Sequence, residues 1–291
     1  MKEVNKPQTV WKDWLVRYHG LLSIRYSKKQ MERAIHSLVK DISQYRQDVR
    51  VKAFSRGSTD LGQFILVGKV DQADRIICSY YDTPMRHFGS YVFFDHQGQQ
   101  KKTLALTCLS SALVFLLGMP LILAYRHLLS HGTQAYWTNL LLILMAFLYF
   151  FTLGKVAKGL PRKKNGVRNT SSLLAMLRLI ATDQSRDKAY IFFPNGSYGD
   201  YSLKVIEGLI KEKAELICLD SIGSGQNLYF FSKKSYPRGK NIEVVPTKER
   251  ISYLISARST EGKFYLRPED LNDVMVNEER IHTVCDFLRR K

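Results

Sequence analysis

Two uncharged apolar runs, Thr103–Tyr125 (TLALTCLSSALVFLLGMPLILAY) and Thr138–Gly154 (TNLLLILMAFLYFFTLG), interrupt an otherwise charged sequence. A helix rises about 1.5 Å per residue, so about 20 apolar residues cross a hydrocarbon layer about 30 Å thick. The first run meets that length outright. The second is shorter but gains an interfacial start from Tyr136 and Trp137, with Tyr149 toward its other end. Gly118 and Pro120 fall in the first run, and both residue types are tolerated in membrane helices. The runs are expected to form a two-helix transmembrane hairpin; a buried hairpin in a soluble core fits these lengths less well.

The formal net charge is +18, which is compatible with nucleic acid, an anionic membrane or membrane topology as its origin. Its distribution favours topology. Arg86, Lys101 and Lys102 precede the hairpin, and Lys155, Lys158, Arg162, Lys163 and Lys164 follow it, whereas the connecting segment Arg126–Trp137 holds one Arg and no Lys. The positive-inside bias then places both chain ends in the cytoplasm. Anionic lipid accounts for the remaining attraction, so no specific nucleic-acid binding is expected. Cys78, Cys108, Cys218 and Cys285 show no CxxC spacing and are expected as reduced thiols. The first 30 residues carry no apolar stretch of the signal-peptide kind.

The flanks alternate between strand and helix patterns. Ser27 and Gln30 form a capping box ahead of Met31, Ala34, Ile35, Leu38, Val39 and Ile42 at helical spacing. Trp11, Trp14, Leu15, Leu21 and Leu22 either pack on the domain or lie on the bilayer surface. Strands are expected at Val49–Phe54, Gln63–Val70, Arg75–Tyr80, Ser90–Asp95, Lys188–Phe193, Glu215–Asp220, Asn227–Phe231 and Asn241–Val245. Helices are expected at Thr170–Ala181, Ser202–Glu212, Thr247–Ala257 and, as one closing element, Glu269–Arg290. The alternation predicts an α/β fold, a mainly parallel sheet sandwiched by helices, with function at the carboxyl ends of its strands.

The order of IICSYYDTP from Ile76, NGVRNTSSLLAML from Asn165, AYIFFPNGSYGD from Ala189, ELICLDSIG from Glu215 and LRPEDLNDV from Leu266 resembles the di-zinc aminopeptidase and glutamate carboxypeptidase family, whose relatives include nicastrin, transferrin receptor and glutaminyl cyclases. The resemblance spans Leu21 to Leu288 apart from the hairpin. It implies one cytoplasmic aminopeptidase-like domain in two parts, residues 1–102 and 155–291, with the hairpin 103–154 inserted between them.

The resemblance also implies where two zinc ions would sit, and the ligands there have changed. The family's His-x-Asp pair falls on Tyr80-Tyr81-Asp82, so Tyr80 stands where a zinc-binding His is expected. The bridging Asp falls on Asn169, the Glu-Glu pair falls within Asn195–Tyr198, which holds no carboxylate, and the late His falls on Leu266. Asp220 alone keeps its residue type. A zinc centre needs several anionic or soft ligands and a base beside the bound water, so a degenerate site with no catalytic residue and no cofactor is expected.

Buried carboxylates without a metal need another positive partner. Arg168 is the candidate, approaching Asp82 or Asp220 with hydrogen bonds from Asn169 and Tyr80; alternatively it faces solvent, continuing the basic run. Ser197 and Ser224 lie in Gly-rich turns outside any Gly-x-Ser-x-Gly pattern, and His36, His87, His96 and His282 show no metal spacing. The function expected is a membrane-anchored noncatalytic binding or adaptor module. Its partners would be the bilayer and a membrane protein, a peptide or an anionic lipid headgroup met at a mouth facing the membrane. The alternative is a membrane-bound metallo-aminopeptidase or related hydrolase that holds zinc through atypical ligands.

Overall fold

The computed structural model describes residues 7–56, 59–130, 136–183, 185–197, 199–236, 241–272 and 275–289. It divides into a larger unit, which takes in the chain up to Pro84, the stretch Ser90–Phe94 and the chain from Arg162 onward, and a smaller unit of Met85–Gly89 and Asp95–Pro161.

The core of the larger unit follows from alternation. Strand β3 (Arg75–Tyr80) sends Ile77 to one face of the sheet and Ile76, Cys78 and Tyr80 to the other, and both faces are buried. It lies between β5 (Lys188–Phe193) and β6 (Glu215–Asp220), parallel to both. Outward from β5 come β2 (Thr59–Val67) and β1 (Val49–Arg56), each antiparallel to its neighbour. Outward from β6 come β9 (Ile251–Thr260), parallel to it, then β10 (Lys263–Leu266) and the short β4 (Tyr91–Val92). Strands β7 (Asn227–Ser232) and β8 (Ile242–Pro246) branch from β9.

The sheet is therefore mixed, with antiparallel pairs outside a parallel centre, where the sequence reading expected it to be mainly parallel. Strand β2 begins and ends earlier than the Gln63–Val70 expectation, since Gly68 turns the chain at φ 90°. One sheet face is covered by α1 (Pro7–Trp14), the π-helix Leu15–Leu21, α2 (Lys28–Ile42), α5 (Ser171–Thr182) and α8 (Glu278–Arg289). The other is covered by α6 (Tyr201–Leu209). Trp11 and Trp14 are buried in the first layer, which settles them as packing residues, whereas Leu21 is exposed. The capping box forms: Gln30 N–H donates to Ser27 Oγ at 3.4 Å, and Ser27 N–H donates to Gln30 Oε1 at 3.0 Å.

Two helical expectations are corrected. Residues 247–257 do not form a helix; β9 runs there, paired by β6 on one edge and β7 on the other. The closing helix is two elements, α7 (Pro268–Asn272) and α8. Asn277 starts the second, its Oδ1 accepting from Arg280 N–H at 3.1 Å. Val274, assigned to that helix, lies outside the described residues.

In the smaller unit, α3 (His96–Ser130) and α4 (Tyr136–Ala157) are long and apolar enough to cross a membrane, and most of their large side chains are exposed. Gly118 permits their close approach, because a Cβ there would meet the Tyr149 ring at 2.5 Å. The Tyr149 hydroxyl donates to the Phe115 carbonyl at 3.4 Å.

Phe192 is fully buried on β5 in the larger layer. Phe192→Ala is expected to cost about 3 to 5 kcal/mol, as large cavities in packed cores do. Denaturant titration of the full chain in detergent checks this against the exposed control Val51→Ala, which should change little.

Candidate functional site

Tyr80, Asp82 and Asp220 stand at the carboxyl ends of neighbouring parallel strands, Tyr80 closing β3, Asp82 just beyond it and Asp220 closing β6. The π-helix Gly166–Thr170 brings in Arg168 and Asn169; Thr170 N–H bonds Asn165 O at 3.1 Å across its widened turn. Ser221 N–H donates to Arg168 O at 2.9 Å, tying that turn to the end of β6. The turn after β5 completes the rim. Gly196 is required there, since a Cβ would meet the Tyr80 side chain at 2.3 Å.

Asp220 is buried, and both its oxygens are occupied. Oδ1 accepts from the Tyr80 hydroxyl at 2.9 Å and from Ser221 Oγ at 2.9 Å, and Oδ2 accepts from the Tyr91 hydroxyl at 3.1 Å. Burial raises its pKa, against the Arg168 charge and these three donors. Burial likewise raises Tyr80, with Asp220 acting in the same direction and Arg168 opposing.

Asp82 is also buried but only half satisfied. Oδ1 accepts from Gly196 N–H at 3.2 Å, whereas Oδ2 has no hydrogen-bond partner. Burial lifts its pKa from 3.8 to about 6, opposed by the Gly196 hydrogen bond and by the Arg168 and Arg25 charges.

Asn169 holds the middle of the cluster. Its Nδ2 donates to the Tyr80 carbonyl and its Oδ1 accepts from the guanidinium of Arg25. Arg25 is fully buried, and its N–H groups reach five acceptors: Tyr81 O at 2.6 Å, Leu22 O at 2.6 Å, Tyr18 O at 3.1 Å, Thr170 Oγ1 at 3.1 Å and Asn169 Oδ1. Its backbone pairs with Thr83, through Arg25 N–H to Thr83 Oγ1 at 2.8 Å and Thr83 N–H to Arg25 O at 2.9 Å. Burial lowers its pKa to about 10, with Asp82 holding it up, so it is a cation at neutral pH.

Arg168 is 2% exposed, which rules out the solvent-facing reading. Its guanidinium lies over the Tyr91 ring, 3.7 Å from the centroid, and its Nε is buried without a hydrogen-bond partner. Its charge acts on Asp82 and Asp220. The hydrogen bonds expected from Asn169 and Tyr80 go instead to Arg25, the Tyr80 carbonyl and Asp220. Leu266 is buried in an apolar cluster with Tyr91, Phe93, Ile255 and Leu271 and pairs across β10 and β4 with Tyr91, whose hydroxyl bonds Asp220. Of the Asn195–Tyr198 stretch, Tyr198 lies outside the described residues. Arg25 and Tyr91 had no sequence signal of their own: Arg25 lies far along the chain from both carboxylates, and Tyr91, although close after Asp82, falls in no motif.

The donor set does not fit two divalent ions. Two carboxylates are balanced by two guanidinium groups, Asp220 has no free oxygen, and Asn169 is neutral and bonded to a cation. Among the described residues no three His, Cys, Asp or Glu side chains converge as a metal site. Cys78, Cys218 and Cys285 are buried free thiols and Cys108 is exposed.

No protein-family model matches the sequence, and no curated protein matches it. Among solved structures, the chain is similar to the LapA aminopeptidase of Legionella pneumophila at 7% identity, covering 100% of this chain and 78% of that one with a TM-score of 0.45. It is also similar to BSAP, a zinc aminopeptidase from Bacillus subtilis, at 10% identity, covering 80% of this chain and 49% of that one with a TM-score of 0.37. The chain thus spans about half the length of the BSAP chain.

Arg25→Met is expected to destabilise by about 3 to 5 kcal/mol, the range for stranding the partner of a buried charge, measured by denaturant titration. Because the Asp82 pKa is raised on folding, the folded state binds the extra proton between about pH 4 and 6. Stability from this group is therefore complete below pH 4 and lost as pH rises through 6, amounting to about 3 kcal/mol. Asp82→Asn should flatten this part of the profile, leaving a smaller slope of the same sign from Asp220.

Proposed function

We propose that this chain is a membrane-anchored, noncatalytic aminopeptidase-like protein that serves as a binding or adaptor module at the cytoplasmic membrane face. The observation that carries the reading is Arg25: a buried guanidinium bonds the neutral Asn169 at the position where the resemblance calls for a bridging carboxylate. A cation built into the fold at that point repels a second one. Asp220 already accepts from three hydroxyls, which occupies it against holding a metal-bound water.

Membrane anchoring is supported by the length and composition of α3 and α4 and by the basic residues on both sides of the hairpin. The bilayer is the first partner; a membrane protein, a peptide or an anionic headgroup is the second. This reading places both termini in the cytoplasm.

One observation favours the hydrolase alternative. Asp82 has a free oxygen and a pKa near 6, the properties of a group that takes and releases protons at neutral pH. The two readings separate by assay. Full-length protein in nonionic detergent with added zinc should not cleave leucine p-nitroanilide above the buffer rate, and Asp220→Ala should change nothing. Zinc-dependent turnover lost in Asp220→Ala would establish the hydrolase instead.

Topology is checked by labelling. A membrane-impermeant maleimide should reach Gln134→Cys, in a Cys108→Ser background, only from the side opposite the termini. Labelling from the same side contradicts the hairpin.

A further inference from the structure

Charge is unevenly placed along the smaller unit. Residues 85–161 hold six Lys and Arg side chains and one acid, Asp95. The Asp95 Oδ1 accepts from Gly98 N–H at 2.9 Å, so the acid is engaged in capping α3. Helices α3 and α4 are joined by a short connection and meet at Gly118 and Tyr149, which puts the start of one and the end of the other at the same end of the hairpin. Five of the six cations belong to that end: Arg86, Lys101 and Lys102 on the α3 side, Lys155 and Lys158 on the α4 side.

A bridge between the two flanking segments fixes this end. Met85 pairs antiparallel with Pro161, and Arg86 N–H donates to Leu160 O at 2.9 Å. Gly159 is required for it, since its φ is 84° and a Cβ there would meet Met85 Sδ at 2.5 Å. The bridge brings the segment of Arg86 and Phe88 up to that of Lys158 and Leu160, distant in sequence. Arg86, Lys155 and Lys158 are exposed, and so are the apolar Phe88 at 43% and Leu160 at 38%. Lys155 Nζ lies 4.4 Å from the centre of the Phe151 ring, its stem along the apolar surface of α4.

We propose that this end of the smaller unit is a binding surface for anionic phospholipid, with Arg86, Lys155 and Lys158 meeting the headgroup phosphate and Phe88 and Leu160 entering the boundary with the acyl chains. The inference rests on the membrane-anchored reading and names the lipid class that binds beside the hairpin. Charge complementarity selects the occupant: five cations against one capping acid leave a positive surface, and each Lys or Arg at a bilayer surface adds to the attraction for anionic lipid. The exposed apolar groups narrow the choice further. Cations beside Phe88 and Leu160 suit a partner that is charged on one side and apolar on the other, whereas nucleic acid would meet the charges and give Leu160 no apolar surface. A second copy of the chain would set like charge against like.

The thermal midpoint of the full chain in nonionic detergent is followed as phosphatidylglycerol or phosphatidylcholine is added to the micelles. Phosphatidylglycerol should raise the midpoint saturably, less so at high salt, and phosphatidylcholine should not. Replacing Arg86, Lys155 and Lys158 together by Gln should weaken the apparent affinity by about fivefold for each cation removed, while Lys155→Arg with Lys158→Arg should keep it. Gln at the exposed Lys204, Lys248 and Lys263 of the larger unit removes the same charge and should leave the response unchanged. The proposal is overturned if the two lipids act alike, if the Arg86, Lys155 and Lys158 variant responds as wild type does, or if the control variant loses as much. It is also overturned if water-soluble glycerol phosphate or a short single-stranded RNA reproduces the saturable shift. Extraction of reconstituted vesicles with alkaline carbonate separates this inference from the reading beneath it. A chain washed out of the vesicles overturns the anchoring and the lipid site together, and a chain that stays embedded without preferring phosphatidylglycerol overturns the lipid site alone.

Discussion

A guanidinium removed from water must find acceptors for five N–H groups, and Arg25 finds them on three different pieces of the chain. The Tyr18 and Leu22 carbonyls come from the N-terminal segment, Tyr81 from the end of β3, and Asn169 and Thr170 from the turn into α5. The bonds close only if all of these are in place. The N-terminal segment is itself held by the Tyr18 hydroxyl, which donates to Asp41 on α2 at 2.7 Å. Arg25 thereby couples the helical layer to the strand ends, and the site around Asp82 inherits its geometry from that coupling.

The same interaction sets the electrostatics. Two carboxylates buried at the end of an apolar sheet need compensation, and here two guanidinium groups restore neutrality without forming a close ion pair with either acid. The arrangement is uneven. Asp220 is locked by three hydroxyls, whereas Asp82 keeps one oxygen free and a pKa within reach of neutral pH.

Much of the fold was legible because local and tertiary preferences agreed. Ser27 and Gln30 marked the start of α2, and the Ile-rich run at Arg75 marked β3, since burial on both faces leaves little choice of residue. Strand β9 was misread for a definite reason. Ile251, Leu254 and Ile255 fall at helical spacing as well as in a buried strand, and only the pairing of both edges decides. The closing helix was drawn too long because the cap at Asn277 lies inside a continuous apolar pattern. At the site, the sequence placed Tyr80, Asp82, Asn169 and Asp220, which do come together, with Leu266 paired to Tyr91 on the adjoining strand, but it overlooked Arg25. An arginine that acts through backbone carbonyls has no motif; its role exists only once distant segments meet.

The proposed noncatalytic reading rests on the Arg25 guanidinium bonded to Asn169, where the resemblance would put a bridging carboxylate. Crystals of the full chain soaked in zinc, measured at the zinc absorption edge, test it most directly. The account predicts no anomalous peak between Asp82 and Asp220, and Arg25 still bonded to Asn169. A pair of strong peaks bridging these carboxylates, with Arg25 displaced, would contradict it.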